Sequence, residues 1–328
     1  MSRKDLTVAT VLALLAVAWG ATAVFGGLAA ASWPGRNGLI VYVGVKQGQH
    51  RYSYETTGLR VFDPTVPGSA RILTNDPTDA DPSVSPDGRL VVFSRTVRTT
   101  LPGTVSGLFA INVDGSGLRQ LTDGGPEDAS DTEPTFYPSG ASIAFVRGGD
   151  IYSIRLDGSS LRQITSGPAP EQAPAVSPTG RQIAFTCGSG DPLSRIEDVC
   201  SIRPDGSHRR VLTSRLKQGA EPFDPDFSPS GRLIAFTLGP GTAADVFTMR
   251  ADGSRLGALT NRAPNGRRSF PRDVGYASPS FAPGGGSLVA VARPGSGPRL
   301  VRIRLRDPRH PRPLLGGSLA SSPTWAPD

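Results

Sequence analysis

The sequence predicts an all-β fold, a six-bladed β-propeller of four-stranded antiparallel blades closed by the C-terminal strand joining the N-terminal blade. Three observations carry this expectation. A proline-bearing motif recurs six times, a short apolar run follows each copy that has chain beyond it, and Asp-Gly pairs return at a fixed place after those runs. Composition agrees: 40 glycines and 31 prolines in 328 residues suit many short strands joined by turns.

The repeat settles the architecture. Pro82–Gly88 (PSVSPDG) returns as Pro134–Gly140 (PTFYPSG), Pro174–Gly180 (PAVSPTG), Pro225–Gly231 (PDFSPSG) and Pro279–Gly285 (PSFAPGG), with a sixth copy at Pro323–Asp328 (PTWAPD). The second prolines lie 52, 40, 51, 54 and 44 residues apart, a variation that fits fixed strands carrying variable loops and not a tightly stacked solenoid. Apolar runs such as Leu90–Phe93 and Ile183–Phe185 read as second strands buried on both faces. Third strands such as Asp150–Arg155 and Asp245–Arg250 lead into Asp-Gly at Asp114, Asp157, Asp205 and Asp252, a strong hairpin signal. Fourth strands read as Leu118–Thr122, Leu161–Thr165 and Arg210–Thr213. Four antiparallel strands per repeat make a propeller blade. The two prolines of each motif are expected to share one strand edge, with their missing N–H groups facing a hydrated central channel.

The ends of the chain complete the count. Gly38–Tyr42, Leu59–Phe62 and Arg71–Thr74 supply second, third and fourth strands without a first, and Pro323–Asp328 is a first strand without successors. Joining them closes six blades over residues 37–328.

Blades of the form Pro-x-Phe/Trp-Ser-Pro-Asp-Gly, Ile-Ala-Phe, Asp-Ile-Tyr, Asp-Gly and Leu-Thr resemble the WD40-like repeats of the TolB-type propellers over about residues 38–328. The resemblance implies the fold and no particular activity. The family's namesake carries an α/β domain before its propeller, for which this sequence is expected to have no room, so its lipoprotein partner does not carry over.

Arg3 and Lys4 precede a stretch, Leu6 to Gly35, without a charge. Leu6–Trp19 has the size of a signal-peptide apolar region, with small-residue cleavage sites at Ala21–Ala23 and Ala29–Ala31. Read as one helix, Leu6–Ala31 is also long enough to cross a bilayer. Residues 1–36 are therefore expected to be a signal peptide or an N-terminal membrane anchor with a short linker. Either places the rest outside the cytoplasm.

The net charge of +7 comes from arginines that are scattered and not interleaved with aromatics, which argues against nucleic acid as a partner. No Gly-x-Ser-x-Gly occurs, and neither a hydrolase domain after the last blade nor the serine-peptidase chemistry of some propellers is expected. His50, His208 and His310 fall on different blades, which speaks against a metal cluster or a partnered general base. No catalytic, cofactor or metal residues are expected. Cys187 and Cys200 fall diagonally on adjacent strands of one face; outside the cytoplasm that invites a disulfide, and a pair of buried thiols is the alternative.

Acidic residues precede several first strands: Asp79 and Asp81, Asp131 and Glu133, Glu171, and Asp224 with Asp226. They are expected at one mouth of the channel, either as solvated caps of turns or as a site for a cation or a basic partner group. Arg267, Arg268 and Arg272, between blades five and six, would make the opposite side of that mouth basic. Strand direction puts short turns on one face of the ring and long, varied loops on the other, and the long-loop face is the expected binding face. The expected function is a non-catalytic extracytoplasmic binding or scaffold propeller for a protein partner at the cell envelope. Envelope carbohydrate or an anionic polymer is one alternative ligand, and a lyase- or lactonase-type enzyme at the channel mouth is another reading. Membrane contact is expected only through the N-terminal segment.

Overall fold

The computed structural model describes residues 33–49, 53–99, 103–188, 197–214, 216, 221–239, 244–260, 275–294, 297–315 and 319–327. Most of the N-terminal segment, His50, and Arg267, Arg268 and Arg272 lie outside them.

Six four-stranded antiparallel sheets form a ring. Blade three shows the unit: Asp131–Phe136 is innermost, followed outward by Ser142–Arg147, Asp150–Arg155 and Arg162–Gln163. Its register pairs Phe136 with Ile143 and Tyr152 with Phe145, so apolar residues of successive strands stack into one layer. Blade one is assembled from both ends of the chain. Leu319–Pro327 pairs antiparallel with Asn37–Gln47, and Tyr54–Phe62 and Arg71–Ile72 complete the sheet. Trp325 fastens this closure: its ring is 2% exposed among Ile40, Tyr42 and Val291, and its indole N–H donates to the Gly38 carbonyl at 3.2 Å.

The conserved-looking letters of the repeat each have a structural duty. In the Ser-Pro-x-Gly turn, Ser85 Oγ accepts the Leu90 N–H at 2.9 Å, and Ser177 and Ser228 do the same for Gln182 and Leu233. The turn glycine is left-handed, as at Gly88 with φ 72°, a conformation open to a residue without Cβ. The threonine of each Leu-Thr pair folds back onto its own blade. Thr74, Thr122, Thr165, Thr213 and Thr260 accept the N–H that begins the apolar part of the third strand, at 2.8 to 3.0 Å. This side chain closes the outer edge where the fourth strand is short.

Two expectations change. The fourth strands of blades two, three and four are only Arg119–Gln120, Arg162–Gln163 and Arg210–Val211, because the threonine takes over the pairing beyond them. The two prolines of a motif do not share one strand edge either. Phe136 ends its strand, and Pro138 sits inside the turn closed by the Gly140 N–H on the Tyr137 carbonyl. In blades two to six only the first proline lies on the inner strand; in blade one the strand runs on to Pro327, opposite Asn37.

Just before that first proline every inner strand carries a bulge. Asp81, Glu133, Ala173, Asp224, Ser278 and Ser322 all have φ between 50° and 59°, and the ladder breaks register at this point in all six blades. Left-handed non-glycine residues are uncommon, and one before proline is more so because proline crowds its predecessor. A bulge redirects the side chain it carries. Here the redirection is repeated six times around the axis.

Candidate functional site

The acids that precede the first strands fall into two groups. Asp79 and Asp131 have 0% exposure and are matched within their own blades. Arg95 holds Asp79 through two hydrogen bonds of 2.5 and 2.8 Å, and Arg147 holds Asp131 through two of 2.6 and 2.7 Å. Each guanidinium also lies over aromatic rings, Arg95 at 5.3 Å from Phe93 and 5.0 Å from Phe109, Arg147 at 5.4 Å from Phe145. Asp79 and Asp131 are thus structural ion pairs, not solvated caps, and contribute no free charge to the mouth.

Blade four builds the same constellation differently. Cys187 stands opposite Glu171, where Arg147 stands opposite Asp131 in blade three. The acid is met instead by Arg209, whose guanidinium lies 5.3 Å from the Phe185 ring. The freed position serves another bond: the Sγ atoms of Cys187 and Cys200 are joined, with Cα atoms 5.9 Å apart across adjacent strands.

The second group occupies the bulges. Asp81, Glu133 and Asp224 come from blades two, three and five, and none of them is in a salt bridge among the described residues. Ser94 Oγ donates to Asp81 at 2.9 Å, the Ala173 N–H donates to Glu133 at 2.6 Å, and Ser278 Oγ donates to Asp224 at 3.0 Å. Asp81 in turn accepts the N–H of Glu133. The carboxyl of one bulge therefore binds the backbone of the next blade, twice in succession around the axis.

This geometry strains the charges. Burial pushes Asp81 up to about 6, against the Ser94 hydroxyl and the Glu133 amide. Burial is also the main cause at Glu133, pushed up to about 8, with repulsion from Asp81 and Asp224 added. Asp224 is pushed up to about 7, chiefly by burial, while Ser278 and the Arg293 charge oppose the rise. Asp81 and Glu133 retain some accessible surface, yet protein atoms crowd all three. Blades two and five face each other across a ring of six, and Asp81 and Asp224 still feel one another's charge. The three carboxyls thus converge on the axis.

Blade four interrupts the series. Ala173 occupies the acid's place, and nearby on the paired strand Thr186 Oγ1 is buried without a hydrogen-bond partner. Thr186 holds the register position of Ser94 and Thr237, whose hydroxyls bind bulge residues. The channel is left with a polar notch beside the acids.

Asp226 is buried between blades, where its carboxylate accepts the Phe281 N–H at 2.7 Å. His208 meets Ser207 and His310 meets Asp307, each at 2.8 Å. Among the described residues no group of His, Cys, Asp and Glu is arranged to hold a metal ion, and no helix is long and apolar enough to cross a membrane. A recess of about 470 Å³ opens on the turn face, lined by Arg36, Asp63, Asp87 and Arg89, away from the bulge carboxyls. The bulges escaped sequence reasoning because a left-handed residue before proline has no propensity signature. The repeated acid or small residue ahead of each first proline was the available signal.

Fold and channel together define a six-bladed propeller with an acidic axis. The sequence pattern of the TolB beta propeller domain matches residues 100–272, and the chain belongs to that family. Among solved structures it is similar to TolB from Acinetobacter baumannii, at 19% identity and TM-score 0.66 over 89% of this chain and 67% of that one. It is also similar to Kuenenia stuttgartiensis hydrazine synthase, at 15% identity and TM-score 0.67, and covers 47% of that chain. A chain of a nidogen/laminin complex aligns at 12% identity and TM-score 0.61 over 88% of this chain and 98% of that one. At these identities the likeness is one of fold. Comparison with curated proteins by sequence finds no match.

Proposed function

We propose that the protein is an extracytoplasmic, non-catalytic binding propeller at the cell envelope, whose channel receives a basic side chain of a partner protein. The carrying observation is the set of three bulge carboxyls, Asp81, Glu133 and Asp224, crowded together without an ion pair among the described residues. A lysine or arginine presented by a partner would relieve their mutual repulsion and restore the charged form of each. The long loops surround this end of the channel and supply the surface for the rest of the partner. A joined Cys187–Cys200 pair suits an oxidising compartment, and residues 1–36 provide the means of export.

The test uses an arginine-rich peptide as probe, titrated calorimetrically into the full chain. Affinity should rise between pH 6 and 9 as the carboxyls ionise, and Glu133→Gln with Asp224→Asn should abolish most of it. Binding that ignores both the substitutions and the pH would overturn the reading. One observation favours a second reading: carboxyls held near neutrality are suited to general acid catalysis. Turnover of an envelope polysaccharide or lactone that disappears in Glu133→Gln would establish an enzyme instead.

A further inference from the structure

The opposite, turn face of the ring has its own character. The strands place the first-to-second and third-to-fourth turns of every blade there. Blade four sets one exposed aspartate, Asp205, against exposed Arg181, Arg203 and Arg210. Blade five sets Asp252 against Arg232, Arg250 and Arg255, and blade six sets Asp307 against Arg304 and Arg306. The aspartates are ionised: Asp157, Asp205 and Asp252 each hold the turn serine two residues on, and that hydrogen bonding keeps their pKa low. Even so, arginine exceeds aspartate in each of these blades.

Apolar side chains share the face. The exposed large hydrophobic residues of the described chain are Val66, Leu118 and Leu161, in third-to-fourth turns, with Ile72 and Val211 on the outer strands that follow such turns. All five are 47% to 51% exposed, and none lies among the long loops. The face thus joins turns with exposed apolar residues in blades one to three to arginine-rich turns in blades four to six, the two components of a surface that rests at the level of lipid headgroups.

The chain also joins the ring from this side. Asn37 begins its strand at the turn face, opposite Pro327, and its side chain accepts the Gly284 N–H of a blade-six turn at 3.0 Å. Four residues earlier Trp33 is 3% exposed and belongs to the buried apolar cluster of blades two and three, with Val92, Leu108 and Ile154. Ala31, the last residue of the uncharged segment Leu6–Ala31, is two residues from Trp33.

We infer that the turn face is a docking surface for an anionic membrane. Arginines contact headgroup phosphates there, Val66, Leu118 and Leu161 enter the interfacial layer, and the long loops and channel mouth point away from the bilayer.

Arginine footprinting tests this on the full chain in lipid nanodiscs, with phenylglyoxal as reagent and mass spectrometry as readout. In discs containing anionic lipid, Arg181, Arg203, Arg232 and Arg250 should react several-fold more slowly than in purely zwitterionic discs. Arg98, which meets Asp128 on the long-loop face, should react equally in both. High salt should remove the difference, since contacts at this surface are screened. Equal reactivity of the turn-face arginines in both discs, or protection of Arg98 instead, would overturn the proposal. So would protection of the same arginines by a soluble anionic polysaccharide with none from anionic discs, which would assign the face to a polymer.

Discussion

Asp157 and Glu133 belong to the same blade, and both carboxyls accept a backbone N–H, from Ser159 at 2.9 Å and from Ala173 at 2.6 Å. Asp157 also accepts the Ser159 hydroxyl, stands in solvent, and is held down to about 2. Glu133 is crowded by protein and by Asp81 and is pushed up to about 8. A third carboxyl sharpens the contrast. Asp131 lies two residues from Glu133 on one strand, has 0% exposure, and has the Arg147 guanidinium against it. Hydrogen bonds to Ser159 lower the Asp157 carboxyl where water remains, whereas at Glu133 burial and the Asp81 charge outweigh the single bond from Ala173. Solvent and the sign of the nearest charge decide whether an acid on this scaffold is a brace, a turn or a site.

The most disruptive way to test that division is to unmatch the brace. Asp131→Ala should destabilise the protein by roughly 3–5 kcal/mol in urea denaturation, because Arg147 is left buried with its charge uncompensated. Combining it with Arg147→Leu should recover a large part of the loss. Equal losses in the single and double variants would mean that packing, not charge, is what Asp131 supplies.

The channel acids should show in the pH dependence of stability. The folded pKa of Glu133 lies above its unfolded value, so the folded state binds the extra proton. Stability is then full below about 4.5 and declines as pH rises through about 8. Asp81 and Asp224 act in the same direction over lower windows, up to about 6 and about 7. Glu133→Gln should flatten the decline by on the order of 3 kcal/mol, read as denaturation midpoints from pH 5 to 9. An unchanged slope would show that the channel is wetter than its crowding implies.

Asp157→Asn should give the smallest effect. Its acceptor oxygen remains for Ser159, and only the charge is lost. Since the folded pKa of Asp157 lies below the unfolded one, its contribution is present at neutral pH and fades as pH falls through about 2. A neutral-pH loss as large as that of Asp131→Ala would erase the distinction between turn and brace.

The ring was legible because its signals are local and repeated. Pro-x-x-Ser-Pro-x-Gly, Asp-Gly and Leu-Thr each encode one turn or cap, and each appears where its spacing places it. The orphan strands at Gly38 and Pro323 were enough to close the circle. The candidate site was only half legible. Asp79 and Asp81 sit two positions apart and look alike in sequence, yet one meets Arg95 and the other meets the axis. What separates them is the bulge at Asp81, a backbone event written in φ and not in residue type. The pairing of Glu171 with Arg209 was hidden for another reason: the cation arrives from 38 positions away, from the turn that leads into the outermost strand.

Closure through Trp325 has a consequence for how the molecule is made. The indole and the Gly38 carbonyl that it binds are separated by 287 residues, so blade one receives its innermost strand only after every other blade has been synthesised. Until then Asn37–Gln47 has a vacant inner edge, and the ring is an open arc that can flex or pair wrongly. The arc therefore waits for its final strand, and that waiting interval is when a chaperone or a protease has its clearest hold on the protein.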